Sequence, residues 1–266
     1  MSNRNSYYSY VGQCMIDAMP QTLKERLFTV TEHGGINPEE ESPRFVAKHL
    51  SAYYFAKRFA DGSVLEIGSG DGYGASLLAE TANEVTGIDL FQKNVDLARS
   101  KYKRSNLKFL KMSATALDLS NQSFDLVVSF QVIEHIPQGE LLQYISEIKR
   151  TLKKDGKACL STLNLKKNQK PGQPYDKSPH HDKEFMPSEF KDFLAPLFRR
   201  VELYGLYPTP KHLFFERVKK SGLNRLFPSH ADPIKQYFDR MTVSDFRWLA
   251  KTNLEGCMDL MAVCHA

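Results

Sequence analysis

The chain has 266 residues, 41% of them hydrophobic and 25% charged, and a net charge of +5 at neutral pH. That length suits one α/β domain with extensions, and the composition supplies a full core, which excludes a disordered or collagen-like chain. The 36 basic residues exceed the 31 acidic ones by too little to mark a nucleic-acid binder, and no run reaches the ~18 consecutive apolar residues of a membrane span. Residues 1–10 hold Arg4 but no following apolar run, so they read as neither signal nor transit peptide and the expected location is cytoplasmic. Cys14, Cys159, Cys257 and Cys264 are scattered without CxxC spacing and read as reduced structural thiols.

Residues 1–60 read as a helical N-terminal extension, with Phe45, Val46, Leu50, Tyr53, Tyr54 and Ala56 at helical spacing. One domain is expected over 61–266. Short β-like runs at 64–67, 84–89, 107–112, 124–130, 158–163, 201–207 and 258–264 alternate with helical patterns at 76–80, 93–102, 141–152 and 188–197. This β-α-β order predicts a doubly wound, largely parallel sheet with helices on both faces. Two segments break the rhythm. Residues 164–187, with Pro171, Pro174, Pro179 and Pro187, read as a lid or an unstructured loop, and residues 208–240, basic and aromatic, read as an inserted helical cap.

Val64-Leu65-Glu66-Ile67-Gly68-Ser69-Gly70-Asp71-Gly72-Tyr73-Gly74 is a strand, a glycine-rich turn and a helix start, which brings backbone N–H groups close to a ligand. Tyr73 occupies the place where a dinucleotide fingerprint needs its third glycine, and this weakens a dehydrogenase reading. Glu66 would repel a pyrophosphate but welcome a ligand with a cationic amino-acid end. Asp89, at the close of the second strand, has the position from which acids accept ribose hydroxyls in doubly wound folds.

Taken with Gly87-Ile88-Asp89, Ser123-Phe124-Asp125-Leu126-Val127 and Val132-Ile133-Glu134-His135-Ile136, this loop resembles the motif series of class I S-adenosylmethionine-dependent methyltransferases. The resemblance covers about 55–207 and implies a Rossmann-like seven-stranded sheet with an antiparallel last strand. It also implies S-adenosyl-L-methionine as cofactor, held by Tyr53, Glu66, Gly68, Ser69, Gly70, Tyr73, Asp89, Leu90, Ser113, Ala114 and Gln131, with adenine beside Met112-Ser113-Ala114. Ser113 stands where the family often has an aspartate, which leaves a shorter and neutral partner for the adenine amino group. A narrower resemblance, to bacterial methyltransferases of glycan and polysaccharide biosynthesis, lies in Glu25-Arg26-Leu27-Phe28, His49-Leu50-Ser51-Ala52-Tyr53, residues 70–74 and residues 178–185.

Methyl transfer to a hydroxyl requires alignment of the acceptor and a destination for its proton. His135, after the fourth strand, and His181, in the 164–187 loop, are the candidate bases, and His181 is preferred to His135 and to its neighbour His180. The competing reading makes Glu134 and His135 braces of the cofactor pocket and His181 a solvated loop residue. No spacing among Glu134, His135, His181 and Asp182 is diagnostic of a metal, and none is expected. The basic residues over 149–170 read mainly as a helix terminus and a solvated face, with Lys166, Lys167 and Lys170 placed to meet an anionic acceptor. The expected activity is O-methylation of a sugar hydroxyl on a nucleotide sugar or glycan. The alternatives are a quinone, polyketide or lipid precursor as acceptor, or a cofactor-binding protein without turnover. No nucleic-acid partner is expected, and a homo-oligomer is left open.

Overall fold

The computed structural model describes residues 41–169, 175, 177–222 and 232–266. Helix α1 (Pro43–Ala56) begins at Ser42, whose hydroxyl accepts the Phe45 N–H, and Pro43 sits in the first turn where no backbone donor is needed. Residues 1–40 of the expected N-terminal extension, with Cys14 and the 25–28 motif, lie outside the described residues. The chain then runs through β1 (Ser63–Ile67), α2 (Tyr73–Leu78), β2 (Glu84–Asp89), α3 (Gln92–Lys101), β3 (Leu107–Lys111), β4 (Phe124–Phe130), α4 (Leu141–Thr151) and β5 (Leu152–Leu163). These five strands are parallel, in the order β3-β2-β1-β4-β5.

Alternation along β1 divides the interior. Leu65 and Ile67 enter a core with Val127, Tyr144, Ile148, Leu160 and Phe190, whereas Val64 enters the opposite one with Leu78, Val85, Val95, Leu126 and Val128. Glu66 shares the second face, beneath α1. Cys159, Cys257 and Cys264 are free and buried.

After β5 come the short α5 (Leu165–Asn168) and α6 (Pro187–Leu194), then β6 (Arg200–Pro208), α7 (Pro210–Ser221), α8 (Pro233–Asp239), β7 (Phe246–Leu249) and β8 (Asp259–His265). The last strand is antiparallel, as expected, and inserts between β5 and β6. Among the described residues the sheet has eight strands rather than seven, in the order β3-β2-β1-β4-β5-β8-β6-β7. The added strand, β7, pairs Gly205–Pro208 of β6 antiparallel and covers an edge whose backbone groups would otherwise face water. At four residues it is too short to show a period in the sequence.

Within the segment read as a cap, α7 and α8 are helical. Phe215, Tyr237, Phe238 and Met241 pack with Leu206, Phe246 and Trp248 of the sheet edge and with Ala47 of α1, and the Phe215 and Tyr237 rings stack at 4.0 Å. The cap therefore ties α1 to the sheet. Leu223, Leu226 and Phe227 lie outside the described residues. Among the described residues no helix is long and apolar enough to cross a membrane.

Candidate functional site

Three glycines shape the turn after β1. Gly68, Gly70 and Gly72 have φ of 77°, 53° and 91°, a left-handed region in which a side chain is strained. A Cβ on Gly68 would meet Val132 Cγ2 at 2.5 Å, whereas one on Gly70 would meet nothing within 4 Å. Gly68 thus lets the chain pass β4, and Gly70 keeps open the space above the loop. The Gly68 and Ser69 amides donate to the Ile88 carbonyl, each at 2.9 Å, which fixes the turn to β2.

That space belongs to a cavity of about 510 Å³ along the carboxyl ends of the parallel strands, where doubly wound sheets place ligands. Since β2 and β3 lie on one side of β1 and β4 and β5 on the other, the lining divides. Asp89, Leu90, Met112, Ser113 and Ala114 come from the first side, and Gln131, Val132, His135 and His180 from the second. Gly68, Ser69, Gly70 and Tyr73 lie between, with Tyr53 from α1.

Of the cofactor residues expected from sequence, ten line this one cavity and Glu66 does not. Glu66 is buried below the loop, where the Tyr53 hydroxyl donates to its Oε1 at 2.6 Å and its Oε2 has no hydrogen-bond partner. Burial pushes its carboxyl up to about 8; the Tyr53 bond opposes this and the nearby Asp71 adds to it. Asp89 accepts from the Gly70 and Phe91 amides and from the Asn94 side chain. Burial raises its carboxyl, and those amide bonds pull the other way. The Ser113 hydroxyl already shares a contact with Thr115 Oγ1 at 3.1 Å.

Sequence reasoning missed His49, which lines the cavity and whose imidazole burial lowers to about 3, with Lys48 contributing. It lies within the 49–53 motif, but its i−4 spacing from Tyr53 on α1 was the only signal of a shared face.

The histidine corner is built by β4 and the loop after β5. Gln131, at φ 56°, turns the chain out of β4 into the short helical turn Ile133–His135. The loop returns across it: the Asp182 amide donates to the Glu134 carbonyl at 2.7 Å, and Asn164 bridges to Phe185. His135 Nδ1–H donates to the His180 carbonyl at 2.9 Å, and His181 Nδ1–H donates to Glu184 Oε1 at 2.5 Å. The Tyr175 hydroxyl donates to the other Glu184 oxygen. His135 and His180 line the cavity, whereas His181 does not and instead meets the His135 ring edge-on, with centroids 4.9 Å apart. No described residue of the cap lines the cavity.

A doubly wound sheet with an antiparallel last strand, a glycine turn and a cleft above it defines a nucleotide-type α/β fold. The same fold is found in an S-adenosylmethionine-dependent methyltransferase from Archaeoglobus fulgidus, with a TM-score of 0.56 and 18% identity over 92% of this chain and 99% of that one. The [4+2]-cyclase SpnF shares it too, with a TM-score of 0.55 and 18% identity over 96% and 94% of the two chains, so this likeness speaks for the fold alone. Sequence goes further. A family profile described as "Methyltransferase domain" matches residues 65–160. A Mycolicibacterium smegmatis protein named "Probable S-adenosylmethionine-dependent methyltransferase" is 36% identical over 163 residues, 61% of this chain and 62% of its own length. A Mycobacterium tuberculosis protein of the same designation is 33% identical over 192 residues, 71% of this chain and 68% of its own. The Rickettsia akari ubiquinone biosynthesis O-methyltransferase is 31% identical over 124 residues, 46% of this chain and 48% of its own.

The chain belongs to the S-adenosylmethionine-dependent methyltransferases, and S-adenosylmethionine is its cofactor. The residues present fit that group: the space over Gly70 is open, and an unpartnered carboxylate oxygen is buried beneath the loop.

Proposed function

We propose that the protein methylates a hydroxyl oxygen, with the cofactor along the Gly68–Asp89–Ser113 side of the cavity and the acceptor against His135, behind which His181 stands. The observation that carries this reading is that one cavity joins the glycine turn and Asp89 to the histidine corner. Bound S-adenosylmethionine supplies an activated methyl group on a sulfonium. Asp89 holds the ribose hydroxyls, Ser113 and Ala114 take the adenine edge, and Tyr53 and Tyr73 face the cationic amino-acid end, with Glu66 holding the Tyr53 hydroxyl from beneath the loop. Leu90, Ser69 and Gln131 shape the walls. His135 draws the proton from the acceptor hydroxyl, which is a poor nucleophile while it keeps it; His181, preferred on sequence, lies outside the cavity and positions the His135 ring from behind. In a neutral imidazole whose Nδ1 carries the proton, Nε2 has the lone pair for that task.

For the acceptor, the sugar or glycan reading rests on the resemblance of residues 178–185 and on Lys166 and Lys167, which are exposed at the opening of the same loop. A phenolic quinone precursor is the second reading, favoured by the likeness to the Rickettsia O-methyltransferase. A screen of nucleotide sugars, glycan fragments and polyhydroxybenzenes, read as S-adenosylhomocysteine release, separates them. Release with no member of the panel, in a protein that binds the cofactor, would favour a binding protein without turnover.

A further inference from the structure

We propose that Glu134, His135 and His181 hold a divalent transition-metal cation beside the cavity. One ligating atom from each of the three lies within 4.8 Å of the others. The fold brings them together from two segments, since Glu134 and His135 come after β4 and the Asp182 amide, next to His181, is pinned to the Glu134 carbonyl at 2.7 Å.

The surroundings of the two rings have the form that metal sites require. His135 Nδ1–H is held by a backbone carbonyl and His181 Nδ1–H by the buried Glu184, which the Tyr175 hydroxyl fixes in turn. An oxygen acceptor on Nδ1 sets the tautomer, orients the ring and directs the Nε2 lone pair to an ion, as in the outer contacts of zinc-bound histidines. Here two adjacent rings carry such a contact. Glu134 is almost wholly buried, and the Thr162 hydroxyl donates to its Oε2 at 3.1 Å. A carboxylate at that depth is costly without a cation.

Two imidazoles and one carboxylate suit Zn²⁺, Co²⁺, Fe²⁺ or Mn²⁺ better than Ca²⁺ or Mg²⁺, which favour all-oxygen sites. Three protein ligands leave coordination positions open, as in catalytic rather than structural zinc sites. Because His135 lines the cavity, those positions border it.

The role of the ion rests on the O-methyltransferase reading, whereas its presence does not. An acceptor hydroxyl on the ion becomes more acidic and releases its proton to solvent, and the histidines then act through the ion instead of taking that proton themselves.

The test uses chelator-stripped full-length protein titrated with Co²⁺ and followed by visible d–d absorption, with S-adenosylhomocysteine affinity measured calorimetrically on the same samples. The expected result is one Co²⁺ per chain, with affinity lowered at least ~100-fold in Glu134→Gln and in His181→Gln while S-adenosylhomocysteine still binds. His180→Gln keeps the backbone carbonyl that orients His135 and should keep the ion. No uptake by the wild-type protein, or uptake unchanged in His181→Gln, overturns the site. A protein that binds S-adenosylhomocysteine but no ion loses only the metal; one that binds the ion but no S-adenosylhomocysteine loses the cofactor reading and keeps the metal.

Discussion

Asp89 Oδ2 accepts the Gly70 amide at 2.9 Å, so the acid at the end of β2 and the glycine turn after β1 form one unit. Its Oδ1 accepts from Phe91 N–H and Asn94 Nδ2, at 2.9 and 3.0 Å. On the proposed binding mode, removing this carboxylate acts twice, on ribose contacts and on the turn. Asp89→Ala should weaken S-adenosylmethionine binding ~10–100-fold, since each hydrogen bond to a charged group contributes ~1.5–3 kcal/mol. Calorimetry on a protein with unaltered circular dichroism checks it, and an unchanged Kd would remove Asp89 from the site.

Gly74 opens a competition between two effects. Alanine there gains ~1 kcal/mol of helix propensity, but its Cβ would fall 2.0 Å from Tyr53 Cε1 and 2.5 Å from the Tyr53 hydroxyl. Overpacking of this kind costs ~1–3 kcal/mol and here displaces the partner of Glu66. Gly74→Ala should therefore lower both denaturant stability and cofactor affinity. A variant as stable as wild type, with full affinity, would show that Tyr53 does not pack on this turn.

Glu66 makes stability depend on pH. Its carboxyl is raised from 4.5 to about 8 in the folded state, so between those values the unfolded chain releases a proton that the folded one keeps. Stability from this group is present below about 4.5 and is lost as pH rises through about 8. Glu134, pushed up to about 8 by burial, acts in the same direction. Replacement by glutamine cancels the Glu66 share, so the melting temperature of Glu66→Gln should gain on wild type from pH 5 to pH 8. Parallel melting curves across that range would mean that Glu66 is charged in the folded protein.

His135→Gln and His181→Gln each keep a hydrogen-bonding side chain while losing the imidazole. On the true acceptor each should lose ~10²–10⁴-fold in turnover with S-adenosylhomocysteine affinity preserved. Near wild-type rates in both would leave alignment alone to carry the reaction.

Asn164 closes the sheet end behind the loop. Its buried Nδ2 lies 3.1, 3.1 and 2.9 Å from the carbonyls of Leu254, Glu255 and Cys257. Asn164→Ala should destabilise by ~1–3 kcal/mol for each carbonyl left without a donor, measured by urea denaturation. A loss under ~0.5 kcal/mol, the scale of ordinary surface substitutions, would make the contact incidental.

The parallel half of the fold was legible because its signals are local. Apolar runs such as Val64–Ile67 flank a turn whose glycines adopt positive φ without strain, and Asp89 closes the next run. Period and turn chemistry need no knowledge of distant residues, so the ten cavity-lining residues named from sequence fall together. The half of the sheet beyond β5 was less legible. The β7 strand exists because β6 offers an open edge, and a four-residue run carries no period of its own.

The sequence by itself determined the doubly wound sheet and the glycine turn and its acid, since residue type and spacing along the chain dictate them. Only the tertiary structure decided that Glu66 is sealed under the loop, that His49 and His180 face the cavity while His181 stands behind His135, and that Glu134 joins those rings. Each of these depends on a pairing between segments roughly 15 to 50 residues apart, set by burial and loop closure, which no local pattern encodes.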